Sequence, residues 1–270
     1  MDKSLNIAIA QPPGMLDGTH NRLAWLEMQL QSENTTDCDV LILPELFQSG
    51  YYTAQRISDV AEPSDGPFAQ QVRRLAITHN IAIVYGYAEQ AVDALYNSAQ
   101  CIDDSGVVIG HHRKLLSPPG FEQSVFTQGS DCNVFKLGDF HVSILICYDI
   151  EFPETIRHVA AAGAELVIAP TALTEEWGLV SEKLIPTRAF ENGVFIAYAN
   201  HSGRENDATY FGGSCIVAPN GRDLARATNN VCMLKATVDK SQVKKAQTRM
   251  PYLAHYSALK PALSLNDVDD

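Results

Sequence analysis

The chain has 270 residues, 46% of them hydrophobic, and a formal net charge of −12. That length suits one α/β domain burying roughly 70–75% of the surface its unfolded chain exposes, and the composition excludes a disordered chain. The negative charge argues against nonspecific binding to nucleic acid or to an anionic membrane, and no apolar run approaches the ~18–20 residues of a membrane span.

Residues 5–11 read as a first strand. Ala8-Ile9-Ala10 imitates a signal cleavage site, but the apolar stretch is shorter than the ~7–15 residues such a signal needs, so a cytoplasmic location is expected. Residues 21–33 carry Leu23, Leu26 and Leu30 at helical spacing, with Trp25 and Met28 read as helix packing. Residues 39–43 (DVLIL) form a buried strand stopped by Pro44. A helix is expected over 68–79 and a strand over 81–87. Strands 95–102 and 107–111 flank the turn DDSG, and 115–131 reads as a long loop.

Strands 134–137 and 141–146 meet at Gly138-Asp139. Pro153 suits the first turn of a helix that stops at Gly163. Asp149 and Glu151 are read as acids preceding that helix and favouring its positive end. A strand at 166–169 then implies a parallel crossover. A further helix ends near Gly193, and strands follow at 194–199, 211–218, 224–227 and 232–238, with Pro219-Asn220-Gly221 joining two of them. Two packed sheets with helices outside satisfy this pattern. The tail, about residues 262–270, is expected to be mobile.

Six cysteines, at 38, 101, 132, 147, 215 and 232, are scattered without a CxxC pair, which favours reduced thiols. Cys147 differs from the rest: a β-branched run, VSILI, stops at it and the chain turns acidic. Strand 39–43 likewise ends in Glu45, and the strand after DDSG ends in Lys114. If these strands lie side by side and finish at one edge, the three side chains converge.

Their chemistry is complementary. A free thiol, with a pKa near ~8.5, is only a few per cent thiolate at neutral pH. Glu45 can take its proton during attack, and Lys114 can stabilise the thiolate and then the oxyanion, with the backbone N–H of Tyr148 as second donor. Such a set performs acyl transfer through a thioester. His111-His112 make a poor joint metal ligand, because adjacent strand residues point to opposite faces.

The blocks PEL (44–46), RKLL (113–116) and CYDIEFPE (147–154) resemble the signature blocks of the nitrilase, or carbon–nitrogen hydrolase, superfamily. The likeness continues through GAELVIAPTA, RAFENGVFIAYAN and FGGSCIVAPNG, and so covers nearly the whole chain. It implies a single α-β-β-α four-layer sandwich domain over 1–270 that forms a homodimer or a higher homo-oligomer and needs no cofactor or metal. It assigns Glu45 as base, Lys114 as oxyanion-stabilising cation, Cys147 as nucleophile and Glu122 as a second glutamate that positions the lysine. Tyr51, Tyr148, Thr171 and Ala172 are assigned to substrate binding.

IAIVYGYAE, LYNSAQCIDDSG and LICYDIEFPE resemble amidases of the 5-aminopentanamidase type, so the expected partner is a small amide, with no nucleic acid and no membrane. A nitrilase, an N-carbamoyl amidase or a non-catalytic binder of the same fold would carry the same blocks.

Overall fold

The computed structural model describes residues 4–51, 57–92 and 94–259. The elements, in chain order, are β1 (Ser4–Gln11), α1 (Gly18–Leu30), β2 (Val40–Ile42), α2 (Ile57–Val60), α3 (Pro67–His79), β3 (Ala82–Gln90), β4 (Leu95–Ile102), β5 (Val108–Arg113), α4 (Phe121–Val125), β6 (Phe135–Leu137) and β7 (Phe140–Ile144). Then come α5 (Tyr148–Glu151), α6 (Pro153–Ala161), β8 (Leu166–Pro170), α7 (Ile185–Asn192), β9 (Phe195–Ala199), β10 (Arg204–Glu205), β11 (Ala208–Thr209), β12 (Cys215–Val217), β13 (Asp223–Arg226), β14 (Cys232–Asp239), α8 (Ser241–Arg249) and α9 (Tyr252–Leu259).

Two six-stranded sheets run β14-β1-β2-β3-β4-β5 and β13-β12-β9-β8-β7-β6. Each has three parallel strands at its centre, β1–β2–β3 in one and β7–β8–β9 in the other, flanked by antiparallel ones. Strands of this kind are covered on both faces and read as continuous apolar runs. The alternation along β1 shows how they are shared out. Ile7 and Ile9 point between the sheets, with Ile42, Val142, Ile144 and Ile168. Ala8 and Ala10 point outward, beneath Leu26 and Leu30 of α1 and Val72 and Ala76 of α3. On the far side, Val167 and Ile196 meet Ile156 and Val159 of α6 and Ile185 and Ala189 of α7. The result is the single-domain α-β-β-α sandwich that the sequence implied.

Local signals set the helix ends. Pro67 opens α3 and Asn80, with φ 50°, closes it in the left-handed region. Pro153 opens α6, and Gly193, φ 62°, closes α7.

Several expectations change. The helix expected over 21–33 starts at Gly18 and stops at Leu30, and a 3₁₀ turn covers Glu33–Thr35. Trp25 packs against Phe47, but Met28 is exposed, because it falls off the stripe made by residues 22, 26 and 30. The loop over 115–131 contains α4, and the strand expected over 211–218 is paired only at Cys215–Val217. The tail over 262–270 lies outside the described residues. No helix among the described residues is long and apolar enough to cross a membrane.

Candidate active site

The strands that end in Glu45, Lys114 and Cys147 do not lie side by side. β3 and β4 separate β2 from β5, and β7 belongs to the other sheet. They still finish at one edge. β4 runs antiparallel to β3 and β5 antiparallel to β4, so the end of β5 returns to the carboxyl ends of β2 and β3. The site therefore sits where the two sheets meet.

Glu45 leaves β2 in a tight segment held by Gly86 of β3. Gly86 N–H donates to the Pro44 carbonyl (3.1 Å), and Gln48 N–H donates to that of Gly86 (3.1 Å). A Cβ on Gly86 would stand 2.5 Å from Leu46 N and 2.7 Å from Glu45 Cα, so only glycine lets the strand come so close.

Lys114 is buried. Its Nζ donates to Glu45 Oε1 at 2.7 Å and to both oxygens of Glu122 at 2.8 Å. Asn97 of β4 bridges the two carboxylates, donating to Glu45 Oε1 (2.7 Å) and Glu122 Oε2 (3.1 Å), and the Tyr51 hydroxyl donates to Glu122 Oε1. Glu45 Oε2 has no hydrogen-bond partner among the described residues, although it is buried.

Burial would strip Lys114 of its proton, but the charges of Glu45, of the Cys147 sulfur when ionised and of Glu122 outweigh it and hold the ammonium well above its ordinary range. For Glu45 the balance goes the other way. Burial raises its pKa to about 7 against the pull of Lys114, and the charge of Glu122 adds to the rise.

Cys147 ends the second sheet. Its N–H donates to the Pro170 carbonyl (2.9 Å), and its backbone, φ 46° and ψ −104°, lies in a region that a non-glycine residue rarely adopts. Strain of this kind is found where a side chain must be presented to a cleft. Burial pushes the thiol far up, the Glu45 carboxylate adds to the rise, and Lys114 opposes it. The Thr171 side chain and the Ala172 N–H, both facing the sulfur, also oppose the rise. Burial thus favours a neutral Cys147 thiol over a thiolate held by Lys114, whose ammonium already donates to both carboxylates. Tyr148 starts the one-turn helix α5, so its N–H has no intrahelical partner.

Asp149 corrects the reading of the acids after Cys147. It belongs to α5, is fully buried, and does not serve the positive end of α6. Its Oδ1 accepts from Leu115 N (3.0 Å) and Leu116 N (3.2 Å), and its Oδ2 accepts from Ile146 N (3.1 Å) and His112 Nε2 (2.9 Å). One carboxylate therefore ties the segment after Lys114 to the residue before Cys147. Glu151 is half-buried, and burial raises its pKa against Lys114 and Arg188. His111 and His112 diverge as adjacent strand residues must: His111 lies 3.1 Å from Glu89 and from the Tyr87 hydroxyl, while His112 faces Asp149.

Sequence reasoning passed over Asn97, yet it touches both glutamates. The available signal was a buried amide inside the strand LYNSAQCI, where asparagine is disfavoured unless its side chain has partners.

A cleft of about 1120 Å³ adjoins these groups through Tyr51, which lines it and donates to Glu122. Its wall includes Tyr51, Leu95, Phe121, Thr174, Glu175 and Asp207. Glu45, Lys114 and Glu122 lie beneath this wall, and Tyr51 links the two levels.

Residues 6–248 match the carbon–nitrogen hydrolase family. The chain belongs to that family. This carbon–nitrogen hydrolase is 38% identical over 258 residues to a protein of Pseudomonas protegens named for its place as a hydrolase in the pqqF 5′ region, covering 93% of this chain and 89% of that one. It is 34% identical over 218 residues to an (R)-stereoselective amidase of a Pseudomonas species, covering 80% and 79%. Among solved structures, an amidase from Nesterenkonia sp. superposes with a TM-score of 0.82 at 28% identity, covering 92% of this chain and 95% of that one. A variant of the Nesterenkonia enzyme carries acrylamide added at its active-site cysteine. The carbon–nitrogen hydrolase described here is accordingly an enzyme acting on carbon–nitrogen bonds other than peptide bonds.

Proposed function

We propose that the protein is an amidase that converts a small aliphatic carboxamide to its acid and ammonia through a thioester on Cys147. The observation that carries this reading is the unequal use of Glu45. Oε1 is saturated by Lys114 and Asn97, while Oε2 is buried, without a hydrogen-bond partner among the described residues, and electrostatically coupled to the thiol. That oxygen is free to accept a proton.

In the first half-reaction Cys147 Sγ bonds to the amide carbon as its proton passes to Glu45 Oε2. The carbonyl oxygen becomes an oxyanion and accepts from Lys114 and from the Tyr148 N–H. If the two Glu122 oxygens share one ammonium proton, one of the three remains for substrate. Losing a single donor of this kind typically costs ~10²–10³ in kcat. The intermediate collapses, the C–N bond breaks, and Glu45 returns the proton to the leaving nitrogen, giving ammonia. In the second half, water gives a proton to Glu45 and attacks the thioester carbon. The C–S bond breaks, and the sulfur recovers a proton as the acid leaves.

Glu175, Glu176 and Asp207 on the cleft wall favour a substrate with a distal ammonium group. Asp149 does not contribute to that field, since its oxygens are committed to backbone N–H groups and His112. The chemistry is tested by brief mixing with amides and intact mass measurement. A transient acyl adduct on Cys147, absent from a folded Cys147→Ala variant that releases no ammonia, is the expected result, and turnover by that variant would refute the assignment. The specificity is tested by kcat/KM for 5-aminopentanamide, pentanamide and the matching nitriles. Faster pentanamide turnover would remove the ammonium preference, and faster nitrile turnover would overturn the amidase reading.

A further inference from the structure

Beneath the cleft lies an ion pair that the chemistry above does not use. Arg22 sits on the core-facing stripe of α1 with Leu26 and Leu30 and is 2% exposed. Its Nη2 donates to Glu205 Oε1 at 3.3 Å, while its Nε and Nη1 are buried with no partner among the described residues. A buried pair with donors left over is a poor way to gain stability, because well-packed apolar residues of similar volume often do as well or better. The chain nevertheless makes room for it. Gly50, φ 86°, passes so close that a Cβ would lie 2.4 Å from Glu205 Oε1 and 2.7 Å from Arg22 Nη2.

What this pair holds is informative. Glu205 Oε2 accepts from the backbone N–H of Tyr51 (3.2 Å) and from the Tyr210 hydroxyl. The Tyr51 hydroxyl donates to Glu122, whose two oxygens face Lys114 Nζ. The Tyr210 ring stacks on His201 at 4.9 Å, and His201 Nε2–H donates to the Glu45 carbonyl oxygen at 2.8 Å. Both glutamates that grip the lysine are thus reached from one buried carboxylate, Glu122 through Tyr51 and the Glu45 backbone through Tyr210 and His201.

We propose that Glu205, held by Arg22, is a positioning residue for the active site, acting chiefly through Tyr51 to fix the Glu122 carboxylate against Lys114. The proposal rests on the Glu45–Lys114–Cys147 assignment and adds a residue that touches neither substrate nor the reacting atoms. The rival role is a fastener for the β10–β11 hairpin, whose tip residues Asn206 and Asp207 wall the cleft. A fastener would change substrate affinity and stability without depending on the Tyr51 hydroxyl.

The experiment is a double-mutant cycle on the full chain with Glu205→Gln and Tyr51→Phe. It is repeated with the pair replacement Arg22→Met/Glu205→Leu, which keeps volume and removes both charges, in case the single change does not fold. Thermal unfolding selects the variants that are folded at the assay temperature. Two readouts are taken: kcat and KM for 5-aminopentanamide and pentanamide, and the rate of Cys147 alkylation by iodoacetamide followed by mass.

The expected result is a fall in kcat of about tenfold or more with KM changed less than about threefold. A parallel fall in alkylation rate is expected. In the Tyr51→Phe background the same change should cost at least about threefold less than in wild type, which is the signature of coupling. Multiplicative losses, an effect on KM alone, or wild-type rates in a folded variant would overturn the proposal. If the wild-type chain releases no ammonia from either amide, the amidase reading fails, and the alkylation cycle still decides the role of Glu205.

Discussion

At Glu45 burial outweighs contact. A lysine 2.7 Å away and an asparagine on the same oxygen both favour the carboxylate, yet the pKa rises to about 7 because desolvation and Glu122 are stronger. A base with a pKa near the working pH is the most effective compromise between being deprotonated and being able to take a proton. In the proposed mechanism the active form needs Glu45 ionised and Cys147 protonated, so activity is expected to fall as pH drops through about 7. The acid limb of kcat/KM is expected there, and Glu45→Gln should abolish that limb along with most of the turnover. A limb below about 5, near the ordinary carboxylate range, would show that another group controls the rate.

At this scale Glu45, Lys114 and Cys147 were legible because each stands at the end of a strand. Asn97 showed only as an asparagine out of place in a strand, its partner 52 residues away, and Glu205, with its partner 183 residues away, had no local pattern to announce it.

Among the elements, α5 has the largest effect for its size. Its four residues place Asp149 so that one carboxylate accepts from the backbone on both sides of the sheet junction. Asp149→Asn would turn an amide NH₂ toward N–H groups that need an acceptor, and leaving a buried donor unpaired costs ~1–3 kcal/mol. The variant is expected to melt at a lower temperature and to lose at least about tenfold in kcat, because Lys114 and Cys147 each follow or precede a tethered amide. Circular dichroism melting with single-turnover kinetics checks this; a folded variant with unchanged kcat would show that the tether is not needed.

Gly86→Ala offers an independent test of the same edge. The added methyl meets the backbone of residues 44–46, so both melting temperature and activity should fall, whereas an unchanged enzyme would contradict the close packing. Sequence could not have revealed α5. DIEF carries no capping signal of its own, and the following Pro153 draws attention to α6.

For the whole molecule, the continuous apolar runs of the central strands were the most readable feature. The runs at 39–43, 81–87, 141–146 and 166–169 all fall in the parallel centres of the sheets, where both faces are covered. What periodicity could not supply was which sheet each strand joins. β2 and β7 look alike in sequence and end in residues of one site, yet they belong to opposite layers.

The grip of two carboxylates on one lysine also bears on how a turnover ends. The uncharged carboxamide group of the proposed substrate enters without adding to the negative charge around Lys114. The acid that forms there ionises next to Glu122 and a restored Glu45, and becomes a third anion facing a single cation. At ~4 Å and an effective dielectric of ~20, each such repulsion is worth about 4 kcal/mol. Product should therefore leave readily and inhibit weakly above pH 7, and bind more tightly as Glu45 gains its proton below about 7. Inhibition constants for the product acid measured from pH 6 to 8.5 follow this directly, with a constant value across the range counting against it. The same charges that activate the thiol would then keep hydrolysis running in one direction.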